Sequence, residues 1–205
     1  LWETLYMVSA SLLFGALIGI PLGILLVVTR KGHILENRVI FSILNPIVNI
    51  FRSIPFIILL VAIIPFTRFI VGTTIGTTAA IVPLVLHIGA YMARLVENSL
   101  LEVNEGIIEA AQAMGASKTQ IVFRFLIPEA FPSLILSLTT VTIGLIGATA
   151  MAGAIGGGGL GDLAITYGYQ RFSTITIVVT VVLLIIIVQG IQSLGNIIER
   201  KIRRV

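Results

Sequence analysis

The segment at residues 4–29, TLYMVSASLLFGALIGIPLGILLVVT, contains no charged side chain. A helix that crosses the ~30 Å hydrocarbon core of a bilayer needs about 20 predominantly apolar residues, because each residue adds 1.5 Å. This segment therefore has the length and composition of a membrane-spanning helix. Three further charge-free runs meet the same criterion, and they are Phe69–Ala93, Ala130–Gly161 and Phe172–Ile198.

A fifth apolar stretch, at about residues 46–64, is interrupted by Arg52 and Pro55. From Ile54 it continues as IPFIILLVAII, which is too apolar to lie in water. The alternation of barrel strands is missing, so the spans are expected to be helices. We predict an all-α integral membrane protein, one domain over residues 1–205, with spans at about 4–29, 46–65, 78–97, 132–152 and 173–196.

Composition supports this fold class, since 57% of the residues are hydrophobic, 11% are charged and the mean hydropathy is +1.11. A soluble domain carries about 25% charged residues, and a disordered chain has low apolar content. The absence of cysteine excludes disulfides and a thiol nucleophile, and two histidines make a metal site improbable. We expect the chain to lie in membrane lipid and not to bind nucleic acid.

The distribution of Lys and Arg predicts the orientation of the spans. With five spans, the segments near residues 30–40 and 94–130 lie on the same side as the C-terminus. Ten of the thirteen basic residues lie there: Arg30, Lys31, Arg38, Arg94, Lys118, Arg124, Arg200, Lys201, Arg203 and Arg204. The positive-inside rule therefore places the N-terminus outside. Without a basic leader, the first span is not expected to be a cleaved signal peptide.

Glycines mark two places in the predicted spans. In the first span, Gly15, Gly19 and Gly23 recur every four residues, which predicts a helix face for close packing, and Pro21 predicts a kink. The fourth span ends in a glycine-rich run at residues 153–161, which cannot continue a stable helix. This run is either a flexible outer loop or a turn lining a pathway.

We place three candidate pathway residues near the end of the fourth span: Gly147, Met151 and Gly153. Met151 is the bulky residue where the helix gives way to small ones, so we expect it to narrow a pathway as a gate.

Polar residues inside the spans are few: Arg52, His87, Asn45 and Asn49. We expect Arg52 to extend towards the cytoplasmic surface and His87 to make a helix-packing hydrogen bond. No carboxylate is expected deep in any span, which is evidence against a carrier coupled to protons or sodium.

The longest predicted cytoplasmic segment contains LLEVNEGIIEAAQAMGASKTQIVFRFLIPE at residues 100–129. Asn104 suits the N-cap of a first short helix, which Gly115 ends. Ser117 and Gln120 form a capping box for a second helix, expected to end near Ile127 because Pro128 follows. Helices this short are marginal in water, so the region at about 103–127 must pack against lipid or a protein partner.

Within this segment, Glu109-Ala110-Ala111, Gly115 and Ile127-Pro128 resemble the EAA motif of membrane subunits of bacterial ABC importers. Phe125 and Ile127 replace isoleucine and leucine in many members but remain apolar. The segments Asn49–Leu60, Ile64–Arg68 and Gly156–Gly161 are most similar to the methionine-uptake permease family. The likeness covers nearly the whole chain.

This resemblance implies an inner-membrane homodimer with two ATP-binding cassette subunits and a periplasmic or extracellular substrate-binding lipoprotein. It also implies that the cytoplasmic segment is a coupling helix docked on the ATP-binding subunit. The expected docking residues are Glu109, Ala110, Ala111, Met114, Gly115, Ala116 and Pro128. Methionine as substrate, in its D or L form, comes from the resemblance alone.

The chain itself lacks the G-x-x-x-x-G-K-[ST] phosphate-binding motif, so ATP and Mg²⁺ are expected on the partner and the chain is expected to be non-catalytic. Three alternatives remain at this stage. They are a related permease for another small polar solute, a secondary carrier or channel that needs no ATPase, and a membrane scaffold without transport activity.

Overall fold

A computed structural model describes residues 1–203, which form helices and connecting turns without a β-strand. The α-helices are α1 (Trp2–Thr29), α2 (Arg38–Ser53), α3 (Phe56–Ala62), α4 (Ile64–Val71), α5 (Thr77–Leu101), α6 (Glu105–Ala113), α7 (Lys118–Gln120), α8 (Ile127–Gly153), α9 (Gly159–Asp162) and α10 (Thr174–Arg203). Two π-helical segments, Ile121–Leu126 and Leu163–Tyr169, follow α7 and α9. The predicted all-α class is confirmed for the described residues.

Four helices are long and apolar enough to cross a bilayer: Trp2–Thr29, Thr77–Leu101, Lys118–Gly153 and Thr174–Arg203. A fifth crossing requires that α2 and α3 together form one span, although their axes differ by 103°. The break lies at Ile54 and Pro55, because proline disfavours a helical conformation in the residue before it. The expected span at 46–65 is therefore a bent pair and not one helix.

The helices within two of the charge-free runs do not coincide with the ends of those runs, and α5 and α8 contain the predicted spans 78–97 and 132–152. The run Phe69–Ala93 is divided, because Gly72 ends α4 in the left-handed conformation, and α5 begins only at Thr77. Helix α5 then continues past Arg94 to Leu101. In the run Ala130–Gly161, α8 ends at Gly153 and the glycines beyond it form turns.

The sequence predicted that the second short helix would end near Ile127, before Pro128. The structure shows that it does not end there. Helix α7, the π-helical segment and α8 are continuous over Lys118–Gly153, a length of 36 residues. The N–H of Ile127 donates to the carbonyl of Val122, five residues earlier. This wider turn lets the helix continue past a proline, whose ring would clash with an ordinary helical carbonyl. The cytoplasmic helix and the spanning helix are therefore one continuous element.

Helices α1 and α5 pack closely at the centre of the chain. A Cβ atom added to Gly19 would lie 2.7 Å from the carbonyl oxygen of Gly89, and one added to Gly23 would lie 2.6 Å from that of Ala93. A Cβ atom added to Gly15 would clash with the side chain of Ile88. Because only glycine leaves room for this approach, the three glycines set the distance between the two helices. Pro21 lies within the unbroken α1.

Helix α5 lies at the centre of the core, with Leu84, Ile88 and Met92 almost fully buried. Leu145 of α8 and Met7 of α1 complete the same apolar cluster. By contrast, α10 exposes most of its apolar side chains, as expected for a helix that faces lipid or another subunit. Arg204, counted with the basic C-terminal residues, lies outside the described residues.

Candidate functional site

The segment between α5 and α8 forms two short helices, α6 and α7, joined by a glycine elbow. The Asn104 side chain accepts a hydrogen bond from the Gly106 N–H at 2.8 Å and caps α6. Gly115 follows with φ +79°, and its N–H donates to the Gln112 carbonyl. Ser117 and Gln120 then form the reciprocal capping box that starts α7. These caps give the elbow one defined conformation.

The predicted docking residues divide into exposed and buried positions. Exposed positions are Glu109, Ala110, Met114, Gly115 and Pro128, and the side chain of Met114 is 70% exposed. Ala116 is half-buried. Ala111 is fully buried and its carbonyl accepts the N–H of Ala116, so it supports the elbow from within and is not on the outer surface.

Burial of the inner face explains why so short a helix holds its position. Ile107 and Ile108 pack against the main apolar core, and Val103 just before α6 is buried in it. Together with Ala111 they fix α6 on the ends of the longer helices. Met114 and Glu109 remain exposed, since no part of residues 1–203 covers them.

Near the segment, His33 lies in the loop between α1 and α2. Partial burial, aided by the charge of Arg30, lowers the pKa of His33, and Glu105 opposes this shift. The lowered pKa of His33 favours its neutral form.

A face of small residues on α8 forms the second feature. Gly144, Gly147 and Met151 recur at helical spacing and are exposed, Met151 to 51%. A Cβ added to Gly147 would contact nothing within 4 Å. Gly153, the third predicted pathway residue, is instead buried against the backbone of Gly161 and Asp162. The structure therefore brings Gly147 and Met151 together and places Gly153 in a packed turn.

The glycine-rich run after α8 is held by the start of α1. The Glu3 carboxylate accepts the N–H of Gly159 at 2.7 Å, and the Thr4 hydroxyl accepts the N–H of Leu160 at 2.8 Å. The N–H of Gly76, before α5, donates to the carbonyl of Gly156 at 3.0 Å. These contacts fit a closely packed turn better than a flexible loop. Sequence reasoning missed Glu3 and Thr4, because their partners lie 156 residues away.

Sequence reasoning also missed a buried ion cluster near the C-terminal end of α5. Glu97 is 1% exposed and accepts a hydrogen bond from Arg94, with Arg30 at 3.8 Å. Arg94 also donates to the side-chain oxygens of Asn45 and Asn49, both at 2.8 Å. Because Glu97 lies only four residues from the end of α5, it leaves open the expectation that no carboxylate lies deep in a span. The cluster connects α5 to the end of α1 and to α2, and its members are far apart in sequence.

The expectation for His87 is also corrected. Its ring packs against Phe56 with 5.2 Å between the centroids, but its buried Nδ1 has no hydrogen-bond partner among residues 1–203. The predicted helix-packing hydrogen bond is therefore not made by that atom.

Comparison with known families identifies the chain. Residues 19–204 match the model of a family described as "binding-protein-dependent transport system inner membrane component". The chain belongs to this family. Its members are the membrane subunits of importers, which agrees with the apolar helices and with the short helix pair described above.

The chain is similar to curated members of this family over nearly its whole length. It is 51% identical over 201 residues to the probable D-methionine transport system permease protein MetI of Vibrio cholerae, covering 98% of this chain and 89% of the relative. It is 49% identical over 197 residues to the methionine import system permease protein MetP of Bacillus subtilis, covering 96% and 89%.

Solved structures give the same result. An inward-facing structure of the MetNI methionine ABC transporter matches with a TM-score of 0.96 and 51% identity, covering 98% of this chain and 93% of that chain. An amino acid ABC transporter crystallised with histidines matches with a TM-score of 0.80 at 18% identity, which shows a shared fold.

Proposed function

We propose that the chain is the permease subunit of an ATP-driven importer that moves methionine, in its D or L form, across the bacterial inner membrane. The observation that carries this proposal is the identity of about half of all residues with named methionine permeases over nearly the whole chain. The TM-score of 0.96 with the MetNI transporter supports it.

The proposed topology has five spans in a single domain, residues 1–205, with the N-terminus outside. The spans are α1, the bent pair α2 and α3, α5, α8 and α10. This arrangement puts Lys118 and Arg124 on the same side as Lys31 and the basic end of α10, as the positive-inside rule requires. Only Arg68 and Arg171 then lie on the outer side.

ATP and Mg²⁺ would bind to a partner subunit, and the coupling region at about 103–127 would dock on it. The exposed residues Glu109, Ala110, Met114, Gly115 and Pro128, with the half-buried Ala116, form the proposed docking surface. Because α7 continues into α8, movement of this surface would be transmitted directly to the spanning helix. A ligand on the partner shifts the chain between two states only if it binds one of them better.

The pathway would run along the exposed face of α8, with Gly147 leaving space and Met151 narrowing it at the outer end. Two copies of the chain would form the pore between them, and a substrate-binding lipoprotein would deliver methionine from outside. Alternating access then opens the pathway to one side of the membrane at a time. Gly153 supports this face through the packed turn and is not proposed to line it.

The proposal is tested by expressing the chain with its neighbouring subunits, purifying the assembly and measuring uptake of radiolabelled methionine into liposomes. We expect an ATP-binding subunit to co-purify and uptake to require ATP. Uptake by the chain alone would instead support a secondary carrier or channel. Accumulation of another amino acid, with methionine excluded, would support a permease for a different solute.

A further inference from the structure

An open cavity of about 480 Å³ lies between α2, α5 and α8, and several polar side chains line it among apolar surfaces. The lining residues are Arg52, Ser53, His87, Ile88, Tyr91 and Gly144. Small-molecule sites commonly have volumes of about 300–1,000 Å³. The cavity is therefore large enough for an amino acid.

The cavity lies near the middle of the spanning helices. His87 is the eleventh residue of the 25 in α5, so about 15 Å of helix precedes it and about 21 Å follows it. Gly144 lies on the face of α8 that also carries Met151, about 10 Å away along the helix axis. The cavity thus opens onto the proposed pathway, on the cytoplasmic side of the proposed gate.

The charge in the cavity is positive and has no direct ion-pair partner in the described part of the chain. Its only ionised side chain is Arg52, and among residues 1–203 no carboxylate lies within ion-pair distance of its guanidinium group. The nearby carboxylate of Glu97 is engaged by Arg94 and Arg30. A charged group at membrane depth is costly unless it serves a pathway or finds a partner. This favours an anionic ligand group beside Arg52.

Three other groups complete the recognition of an amino acid. The Tyr91 hydroxyl can donate to a carboxylate, and His87 has a buried Nδ1 without a partner in the described chain. The last turn of α2 ends at Ser53, and carbonyls at a helix C-terminus carry partial negative charge that suits an ammonium group.

We propose that Arg52, Tyr91 and His87 form an amino-acid site within the membrane, where the substrate carboxylate binds the Arg52 guanidinium during translocation. This inference rests on the proposed import of an amino acid. It assigns a binding role to Arg52, which the sequence alone suggested would extend towards the surface.

The test uses the complete transporter in liposomes, with ATP inside and binding lipoprotein outside, and compares uptake of L-methionine with uptake of L-methioninamide. The amide lacks the carboxylate. For each transporter, the methionine preference is the uptake of methionine divided by the uptake of methioninamide. Any preference of the lipoprotein cancels when the methionine preference of a variant is divided by that of its control. We expect Arg52→Gln to lower the methionine preference about tenfold, because a hydrogen bond to a charged group is lost. The control Arg68→Gln removes an exposed cation from α4 and should keep the preference.

Two further variants keep the inference falsifiable if Arg52→Gln does not assemble. Arg52→Lys retains the charge and should retain a carboxylate preference. Tyr91→Phe removes one oxygen and should lower the preference about threefold, whereas the exposed Tyr169→Phe should not. The proposed site is wrong if Arg52→Gln and Arg68→Gln show the same preference for methionine over methioninamide. It is also wrong if Tyr91→Phe and Tyr169→Phe show the same preference. Failure of the unaltered transporter to import methionine would instead contradict the proposed function.

Discussion

At the scale of single residues, Glu97 is the buried charge on which the junction of α1, α2 and α5 depends. Its carboxylate is paired with Arg94 and Arg30, and Arg94 also binds the two asparagines of α2. Removing one partner from a buried pair leaves the other charge uncompensated, which is more costly than losing an exposed pair. The cluster therefore stabilises the arrangement of three helices.

We expect Glu97→Gln to lower the stability of the purified assembly by about 2–4 kcal/mol, because Arg94 loses a charged acceptor in a buried position. Thermal unfolding in detergent measures this change. The same chemical substitution at the exposed Glu129 should change stability by less than about 0.5 kcal/mol. Equal melting temperatures for the two variants would show that the cluster contributes little.

A second residue-scale prediction concerns the proposed gate. Met151→Ala should increase leak of methionine from loaded liposomes without ATP, because a flexible side chain is replaced by a methyl group at the narrow point. Leu13→Ala removes a similarly exposed side chain from α1 and should leave the leak unchanged. The gate is elsewhere if Met151→Ala liposomes retain methionine as well as the Leu13→Ala control.

At the scale of helices, the sequence and the structure agree where signals are local. Asn104, Gly115, Ser117 and Gln120 predicted the caps and the elbow correctly, because each acts on backbone groups within about four residues. The rule that a helix ends before proline failed at Pro128, since a wider helical turn just upstream accommodates the ring. The charge-free runs are not the helices themselves, because glycine conformation and tertiary packing set the helix ends, but the predicted spans 78–97 and 132–152 lie within α5 and α8.

Contacts between distant segments were beyond a single sequence. The pairing of Glu97 with Arg30, or of Glu3 with Gly159, joins segments 67 and 156 residues apart. Nothing in the local pattern marks these residues as partners. Ala111 shows the same limit, because its motif position predicted docking and the structure instead buries it beneath the elbow.

The close packing of α1 on α5 gives an element-scale prediction. Gly19→Ala should destabilise the protein by about 1–3 kcal/mol, because the new Cβ would lie 2.7 Å from the Gly89 carbonyl oxygen. Gly190→Ala in α10 is the matched control, since its added Cβ meets nothing within 4 Å and the change from Gly favours a helix. In thermal unfolding, Gly19→Ala should lower the melting temperature and Gly190→Ala should raise it, each relative to the unaltered protein. A Gly19→Ala variant with a raised melting temperature would contradict the close packing of α1 on α5.

The glycine elbow between α6 and α7 gives a second prediction at the scale of helices. Gly115→Pro should reduce uptake per ATP hydrolysed, because proline cannot adopt φ +79° and lacks the N–H that donates to Gln112. Gly115→Asn should be tolerated, since asparagine enters the left-handed region more readily than other residues. The rate of methionine uptake and the rate of ATP hydrolysis are measured on the same liposomes. Normal coupling in the proline variant would show that the elbow does not transmit movement.

At the scale of the whole molecule, the proposed transporter combines a rigid connection with a pathway lined by small residues. The continuous element from Lys118 to Gly153 joins the proposed docking surface to the face carrying Gly147 and Met151. The packed turn beyond it is attached to the starts of α1 and α5. Movement imposed on the cytoplasmic end would therefore reach the outer end of three helices.

The central claim is that the elbow carrying Met114 is cytoplasmic and docks on an ATP-binding subunit. Because the chain has no cysteine, single cysteines can be labelled without background. Met114→Cys should resist a membrane-impermeant thiol reagent in intact cells, react in inside-out vesicles that lack the partner and be protected when the partner is assembled. Phe172→Cys, whose native side chain is 90% exposed, should react from outside. Labelling of Met114→Cys from outside, or equal labelling with and without the partner, would contradict the account.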